Sequence, residues 1–260
     1  GAGRDAGGAL AGGAGGLSGG MGLVGEISAV ALAAILAITL HEAAHGYAAR
    51  ALGDDTAARL GRLSLNPIRH VDPVGTLLVP GFLAFTQVVG PWIAGGGFGS
   101  VQAMFGWARP VPVDVWRLRD PRWGMVLVAA AGPAINFALA LGFGVTAHGV
   151  VASAESLPPS ALEWLLRFVG LSMLVNVILA CFNLLPVPPL DGGRILVGML
   201  PAPAARAVAR LERVGLLLVM GVLLLPLAVD GFDPLGAFLR AVALPVLRLI
   251  FLLTGHGGAA

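Results

Sequence analysis

The sequence contains few charged residues, one cysteine and no lysine. The low charge content and the single cysteine each exclude a class of protein or of binding site. Only 12% of its 260 residues are charged, 57% are hydrophobic, and the mean hydropathy is +0.88. These values exclude a soluble globular domain and indicate a polytopic membrane protein. Cys181 is the single cysteine, which excludes an intramolecular disulfide and a zinc site built from several cysteines.

Lysine is absent, so arginine supplies all the positive side-chain charge apart from histidine. The formal net charge of +2 and the pI near 9.5 do not indicate a nucleic-acid partner, because the arginines lie in short loops between apolar segments. The partner that the composition predicts is a lipid bilayer.

Apolar segments separated by polar breaks predict an all-α membrane protein with about five to six transmembrane helices. The clearest candidate spans are residues 23–52, 124–150 and 165–185, and two weaker apolar segments follow at 214–229 and 235–253. Residues 74–105 are apolar but interrupted by glycine and proline, which predicts a re-entrant or hairpin element. The alternating segment 59–67 predicts a short β-strand.

The chain divides into a tail and one membrane-embedded domain. Residues 1–20 are rich in glycine and alanine without periodicity, and we expect a disordered tail there with no signal peptide. Residues 21–260 are predicted to form a single domain, with a core at 25–200 and C-terminal helices at 206–254.

The motif His41-Glu42-Ala43-Ala44-His45 lies within the first predicted span. Residues i and i+4 share a helix face, so the two imidazoles can converge on one ion. Neutral imidazoles suit Zn²⁺, and Glu42 projects beside them where it can act as a base toward water. In a soluble chain, a chance occurrence of His-Glu-x-x-His would be a serious alternative to a metal site. Inside a membrane span ionisable groups are costly, so their presence indicates function.

A catalytic zinc site needs a third protein ligand, and Asp191 is a candidate. It follows an apolar span and a rigid Pro186-Val187-Pro188-Pro189 turn, and it precedes two glycines that allow close approach of the backbone. From spacing alone, a helix cap at this position is an equally good interpretation. His70 is expected to face solvent and is left outside the ligand set.

Three motifs in order resemble the signatures of the site-2 protease family of intramembrane zinc metalloproteases (M50-type). They are His41–His45 in His-Glu-x-x-His, Gly132-Pro133-Ala134-Ile135-Asn136, and the run from Asn183 to Gly193 containing Leu190-Asp191-Gly192. The resemblance implies that His41, His45 and Asp191 bind one Zn²⁺ ion and that Glu42 is the general base. It also implies that Asn183 lies near the metal and contacts a substrate carbonyl or the oxyanion.

Asn136 has two interpretations of similar weight. Its amide can bind an extended peptide substrate, or it can hydrogen-bond a neighbouring helix.

The resemblance implies cleavage of transmembrane segments of other membrane proteins. It covers residues 25–200, and no PDZ-like insertion or C-terminal regulatory domain is recognisable. Two alternatives remain: an ion-coupled transporter, which predicts polar residues along several spans, and an inactive scaffold of the same family, which predicts loss of Glu42 or a ligand. The polar residues cluster at the motifs and all four positions are intact, so both observations favour the enzyme.

The distribution of arginine predicts the topology in a bacterial or archaeal cell membrane. Stretches 53–73, 107–122 and 194–213 carry most of the loop arginines, whereas 151–163 and 230–234 carry none. Positive loops favour the cytoplasm, so the first three are expected inside and the last two outside. The active site then lies nearer the cytoplasmic face, provided that residues 74–105 enter and leave on that face.

Overall fold

The structure is a computed structural model that describes residues 22–78, 82, 85, 93, 109–225, 229 and 231–256. The predicted tail, residues 1–20, lies outside the described residues. Within the described ranges the regular structure is entirely helical, which confirms the predicted all-α class.

Nine α-helices follow one another in the described chain. They are α1 Leu23–Ala51, α2 Thr56–Arg59, α3 Pro121–Ala152, α4 Pro159–Asn183, α5 Asp191–Met199, α6 Ala202–Ala209, α7 Glu212–Leu224, α8 Pro234–Phe238 and α9 Leu244–Leu253. Single 3₁₀ turns occupy Pro67–His70, Val115–Arg117 and Ala154–Ser156. Pro73–Leu78 forms a π-helical turn, and a second one, Leu239–Ala243, joins α8 to α9.

Among the described residues, four helical segments are long and apolar enough to cross a membrane: Val24–Ala51, Pro121–Ala152, Pro159–Asn183 and Pro234–Leu253. They match four of the predicted spans. The span predicted at 214–229 overlaps α7, whose 13 residues rise about 20 Å at 1.5 Å per residue. That is short of a hydrocarbon core of about 30 Å.

A stripe of small residues on α1 explains how three helices pack closely together. Ala29, Ala33 and Ala37 recur every fourth position and are fully buried, because α1 packs against both α3 and α4. Small side chains let backbones approach, as is typical of helix contacts in membranes. His41 and His45 continue the same spacing, so the packing that buries the alanines also buries the imidazoles.

Successive spans run in opposite directions and define two ends of the bundle. At one end, here called the site end, the Arg119 N–H donates to the Leu52 carbonyl (2.9 Å), so α3 begins where α1 finishes. At the opposite, distal end, the Trp164 indole donates to the Gly25 carbonyl (3.2 Å), so α4 begins beside the start of α1.

The last span runs from the site end to the distal end, and this corrects the predicted topology. Phe238 packs on Phe182 at the site end of α4, with ring centroids 5.9 Å apart. The His148 ring lies 2.6 Å from the Thr254 carbonyl at the distal end of α3. Residues 231–233 therefore lie at the site end, whereas 151–163 lie at the distal end. The prediction that both loops share a side is wrong, because the contacts of Phe238 and Thr254 fix the direction of the last span.

The residues that flank the predicted hairpin, 74–105, lie at one end of the molecule. The Arg109 N–H donates to the His70 carbonyl (2.8 Å), and Arg117 pairs with Asp55 (3.0 Å). The chain thus leaves and returns at the site end, as predicted. The hairpin itself falls largely outside the described residues.

The predicted β-strand at residues 59–67 is wrong. The N–H groups of Arg62 and Leu63 both donate to the Ala57 carbonyl, which folds the segment back on α2. Leu60 and Gly61 form a turn, and no strand is present among the residues that the structure describes. An extended strand would need a neighbouring strand to satisfy its backbone N–H and C=O groups. Here local hydrogen bonds to α2 satisfy the backbone instead.

Cysteine labelling checks this arrangement. In a Cys181→Ser background, we expect Ser64→Cys, Trp116→Cys and Phe232→Cys to react with an impermeant reagent from one side of the membrane. Ser156→Cys should react from the other. If Phe232→Cys instead labels together with Ser156→Cys, the direction assigned to the last span is wrong.

Candidate metal centre

Three potential metal ligands from two distant parts of the chain meet at the site end. The Nε2 atoms of His41 and His45 lie 3.1 Å apart, and the Asp191 Oδ2 atom lies 3.2 Å from the first and 3.3 Å from the second. All three residues are buried, with 5%, 9% and 6% of their surface exposed. They form a group that could hold a metal ion.

The turn between α4 and α5 delivers Asp191 to this position. Asp191 is the first residue of α5, the N-cap is Leu190, and no side chain caps the helix. A Cβ atom at Gly192 would overlap the Leu184 carbonyl, and one at Gly193 would overlap Pro188. The two glycines are therefore needed for the helix to start against its own turn. Asp191 makes no cap hydrogen bond, and its carboxylate faces the two imidazoles instead.

A chain of amide hydrogen bonds fixes the orientation of His41. The Asn176 side-chain N–H donates to the Ser172 carbonyl (2.8 Å), so the Asn176 side-chain oxygen accepts from the Asn136 amide (2.7 Å). The Asn136 oxygen then faces His41 Nδ1 at 2.6 Å and must accept from it. A backbone carbonyl cannot donate, so the whole chain has one direction and His41 carries its proton on Nδ1.

His45 is fixed in the same way by a backbone carbonyl. Its Nδ1 lies 2.7 Å from the Val128 carbonyl of α3, which can only accept. Both Nε2 atoms therefore present lone pairs toward the Asp191 carboxylate. The buried Asp191 Oδ2 has no hydrogen-bond partner among the described residues. Three converging lone pairs in a buried site repel one another, and a cation between them removes the repulsion.

The separations fit a tetrahedral zinc ion. Ligand atoms at about 2.0–2.1 Å from zinc in a tetrahedron lie about 3.3 Å from each other. The observed separations of 3.1, 3.2 and 3.3 Å match that edge length. The donor set of two imidazoles and one carboxylate is typical of catalytic zinc sites, which keep one position open for water or substrate.

Gly132 of α3 makes room for both imidazoles. A Cβ atom at this position would lie 2.5 Å from His41 Cε1 and 2.5 Å from His45 Nε2. No real Cβ contact is that short, so any larger residue would displace a ring. The glycine of the Gly-Pro-Ala-Ile-Asn motif therefore has a steric role.

Glu42 lies between the two histidines on α1 and is not a member of the group formed by His41, His45 and Asp191. It is half-buried, and its Oε2 atom accepts a hydrogen bond of 3.0 Å from the Val111 N–H. Val111 belongs to a segment that follows the predicted hairpin and lies against α1 at Gly46. The base candidate is thus held by the backbone of a loop far away in sequence.

The other predicted residues occupy different positions. Asn136 is fully buried, and its amide also contacts the Ala37 carbonyl of α1 (3.3 Å), as expected for a residue that joins helices. Asn183 ends α4 and donates to the Leu179 carbonyl one turn earlier (3.0 Å). His70 is buried, with Nε2 2.8 Å from the Ser64 carbonyl, so the expectation that it faces solvent is wrong.

Several residues that shape the site were not identified from the sequence. Asn176 was visible as a polar residue inside an apolar span, which is a signal for a functional or packing role. The carbonyl of Val128 and the N–H of Val111 are backbone groups, and no side-chain pattern could reveal them.

Comparison with known proteins places the chain in a family. The family model of peptidase family M50 matches residues 145–227. The protein named "Putative zinc metalloprotease YwhC" from Bacillus subtilis (strain 168) is 36% identical over 196 residues, which cover 74% of this chain and 78% of that protein. The chain belongs to peptidase family M50.

Two mycobacterial proteins are also similar to this M50 chain. Both are named "Putative zinc metalloprotease Rip2". The one from Mycobacterium tuberculosis (strain ATCC 25618 / H37Rv) is 31% identical over 199 residues, 74% of this chain and 65% of that protein. The one from Mycolicibacterium smegmatis is 30% identical over 224 residues, 85% of this chain and 76% of that protein. No solved structure matches the chain.

These relationships confirm the family resemblance and the cofactor. The chain is a membrane metalloprotease of the site-2 protease family, and zinc is its metal. The apolar helices agree with an integral membrane protein.

Substitution of Gly132 tests the packing around the imidazoles. We expect Gly132→Ala to lower zinc affinity by at least about 10-fold, because a methyl group would displace the His41 and His45 rings and misplaced ligands weaken metal binding. The measurement is zinc content after dialysis against a chelator. Gly142→Ala is the matched control. Gly142 lies on the same helix, and a Cβ atom there would meet nothing within 4 Å. Equal zinc retention in both variants would contradict the steric role.

Proposed function

We propose that the chain is a zinc-dependent intramembrane endopeptidase that cleaves transmembrane segments of other membrane proteins. The observation that carries the proposal is the buried convergence of His41, His45 and Asp191 inside a bundle of membrane-length helices. Lone pairs that converge at zinc spacing, with a glutamate beside them, are suited to hydrolysis of a peptide bond.

His41, His45 and Asp191 would hold zinc, which when bound polarises a carbonyl and makes water nucleophilic at neutral pH. Glu42 is the general base: it takes a proton from the attacking water and passes it to the leaving amine. The Val111 N–H bound to Oε2 restricts the rotation of the Glu42 carboxylate. His41, His45 and Asp191 are buried, so water needs a path to them, and the site end is the nearer end of the bundle.

The two asparagines have different proposed roles. Asn136 commits its oxygen to His41 and its amide to Asn176 and Ala37, which favours orientation of the His41 ligand. Asn183 retains the role of a substrate or oxyanion contact. Its side-chain nitrogen carries two hydrogens, and the bond to Leu179 uses one of them.

The position of the buried histidines and aspartates supports an enzyme over a transporter. Among the described residues these are His41, His45, Asp54, His70 and Asp191, and all lie in the half of the bundle toward the site end. An ion path across the membrane needs such groups at several depths. Their restriction to one end indicates a single centre.

The arginine-bearing stretches support an orientation for the site. Residues 53–73, 109–122 and 194–206 lie at the site end, where Arg122 donates to the Gly198 carbonyl (2.6 Å) and joins two of them. Positive segments favour the cytoplasm, so we place the centre nearer the cytoplasmic face of the cell membrane. A helical substrate hides its carbonyls in backbone hydrogen bonds and must unwind locally before cleavage.

The general-base assignment is tested by Glu42→Gln with a model transmembrane substrate. Cleavage should fall at least ~10²–10⁴-fold, since the base is lost. Zinc content should stay unchanged, because the ligands remain and glutamine can still accept from Val111. Glu26→Gln is the control, since Glu26 lies on the same helix and pairs with Arg167 at the distal end. Native turnover in Glu42→Gln would refute the mechanism.

The ligand role of Asp191 is tested against a true helix cap. Asp191→Ala should lose both zinc and activity. Asp120→Ala is the matched control, because Asp120 caps α3 by accepting from the N–H groups of Arg122 and Trp123. That variant should lose about 1 kcal/mol of stability and keep its zinc. If Asp191→Ala also keeps zinc and activity, the carboxylate is not a ligand.

A further inference from the structure

The segment Arg109-Pro110-Val111-Pro112-Val113-Asp114 lies over the candidate base and is anchored on both sides. It follows the predicted hairpin and precedes α3. Between the two anchors, Val111 is buried, and its N–H donates to Glu42. Pro110 and Pro112 on either side have no N–H, so Val111 supplies the only backbone donor across these three positions.

Asp54 anchors the C-terminal side of the segment. Its Oδ2 atom accepts from the Asp114 N–H (2.7 Å), and its Oδ1 atom accepts from the N–H (2.9 Å) and the hydroxyl (2.5 Å) of Thr56. The residue is 1% exposed. Burial by itself would raise the pKa of Asp54, but these hydrogen bonds outweigh it and hold the pKa below its ordinary value. The carboxylate is therefore ionised and accepts through both oxygens.

Arg62 anchors the N-terminal side. Its guanidinium donates to the Arg109 carbonyl (3.0 Å) and lies 3.5 Å from the Pro110 carbonyl. The Arg109 N–H in turn donates to His70. The loop between α1 and the π-helical turn at Pro73 thus holds both ends of the segment that contacts Glu42.

Close packing against α1 leaves the segment little freedom. A Cβ atom at Gly46 would lie 3.1 Å from Val111 Cγ1 and 2.8 Å from Leu63 Cδ1. Gly46 lies one turn beyond Glu42 on α1, so the side chain of Val111 rests on the helix while its N–H contacts the base. The contact surface and the two anchors fix one placement of the donor.

We propose that Asp54 is a positioning residue for the base Glu42. It holds the Asp114 N–H, and through residues 111–114 it keeps the Val111 N–H on Glu42 Oε2. The inference rests on the proposed function, since the orientation of Glu42 matters only if Glu42 is the base. With Oε2 engaged, Oε1 is left to accept the proton of water. Glutamate has three rotatable side-chain bonds, and a base that samples other orientations transfers the proton less often.

The test compares Asp54→Asn with Asp55→Asn in the full-length protein. An asparagine at position 54 has only one oxygen to accept with, and its NH₂ group takes the place of the other. That NH₂ group must face either the Asp114 N–H or the Thr56 donors, so at least one of these hydrogen bonds is lost. The neighbouring Asp55 is half-exposed and pairs with Arg59 and Arg117, which makes it a matched control. We expect the kcat for a transmembrane substrate to fall about 10- to 100-fold in Asp54→Asn, with KM within about 2-fold and zinc content unchanged.

Hydrogen exchange supplies a readout that needs no substrate. A peptide covering residues 109–113 carries only the Val111 and Val113 amides beyond its first residue, because positions 110 and 112 are proline. Exchange of this peptide should accelerate in Asp54→Asn and in Glu42→Ala, but not in Asp55→Asn. If the native protein cleaves no transmembrane substrate, the proposed function fails while this measurement still decides the positioning role.

A second variant covers the case in which Asp54→Asn does not fold. Val111→Pro removes the donor itself and leaves Asp54 in place, so it should lower kcat to a similar extent with zinc still bound. Native kcat with unchanged exchange in a zinc-loaded Asp54→Asn protein would overturn the proposal. A rise in kcat in either variant would also overturn it, since the hydrogen bond would then hold the base in an unproductive orientation.

Discussion

The packing of this helical bundle depends on three buried lone pairs, on His41, His45 and Asp191, that point toward one another. Two Nε2 atoms and a carboxylate oxygen lie within 3.3 Å of one another, in residues that are at most 9% exposed. A cation between them removes the repulsion of their lone pairs. Each imidazole must also keep its proton on the opposite nitrogen, which requires acceptors at the Nδ1 atoms. The Val128 carbonyl provides one and the Asn136 amide the other.

This requirement connects the metal centre to the packing of the bundle. The direction of the Asn136–Asn176 chain is set by the Ser172 carbonyl on α4, so three helices contribute to the tautomer of His41. The small residues on α1 and the glycine at 132 permit the close approach that these bonds need. Packing and metal binding are therefore coupled, and a substitution that separates α3 from α1 should affect both.

Glu42, the proposed base, belongs to a different system of contacts. Glu42 takes its donor from a loop that is anchored by Asp54 and Arg62, outside the membrane-length part of α1. One network thus holds the three metal-site residues from within the bundle, and another holds the proposed base from the site end. We therefore expect the loop to influence turnover without altering zinc content.

The sequence alone determined those features that depend on local periodicity and residue chemistry. The spacing of His41 and His45, the hydrophobic length of four spans and the glycines after Asp191 all act within a few residues, so the pattern was sufficient. The direction of the last span, the burial of His70, the chain through Asn176 and the anchoring of Val111 by Asp54 join residues distant in sequence. Only the tertiary structure decided these, because a hydrogen bond between helices depends on which faces pack together, and no one-dimensional pattern records that choice.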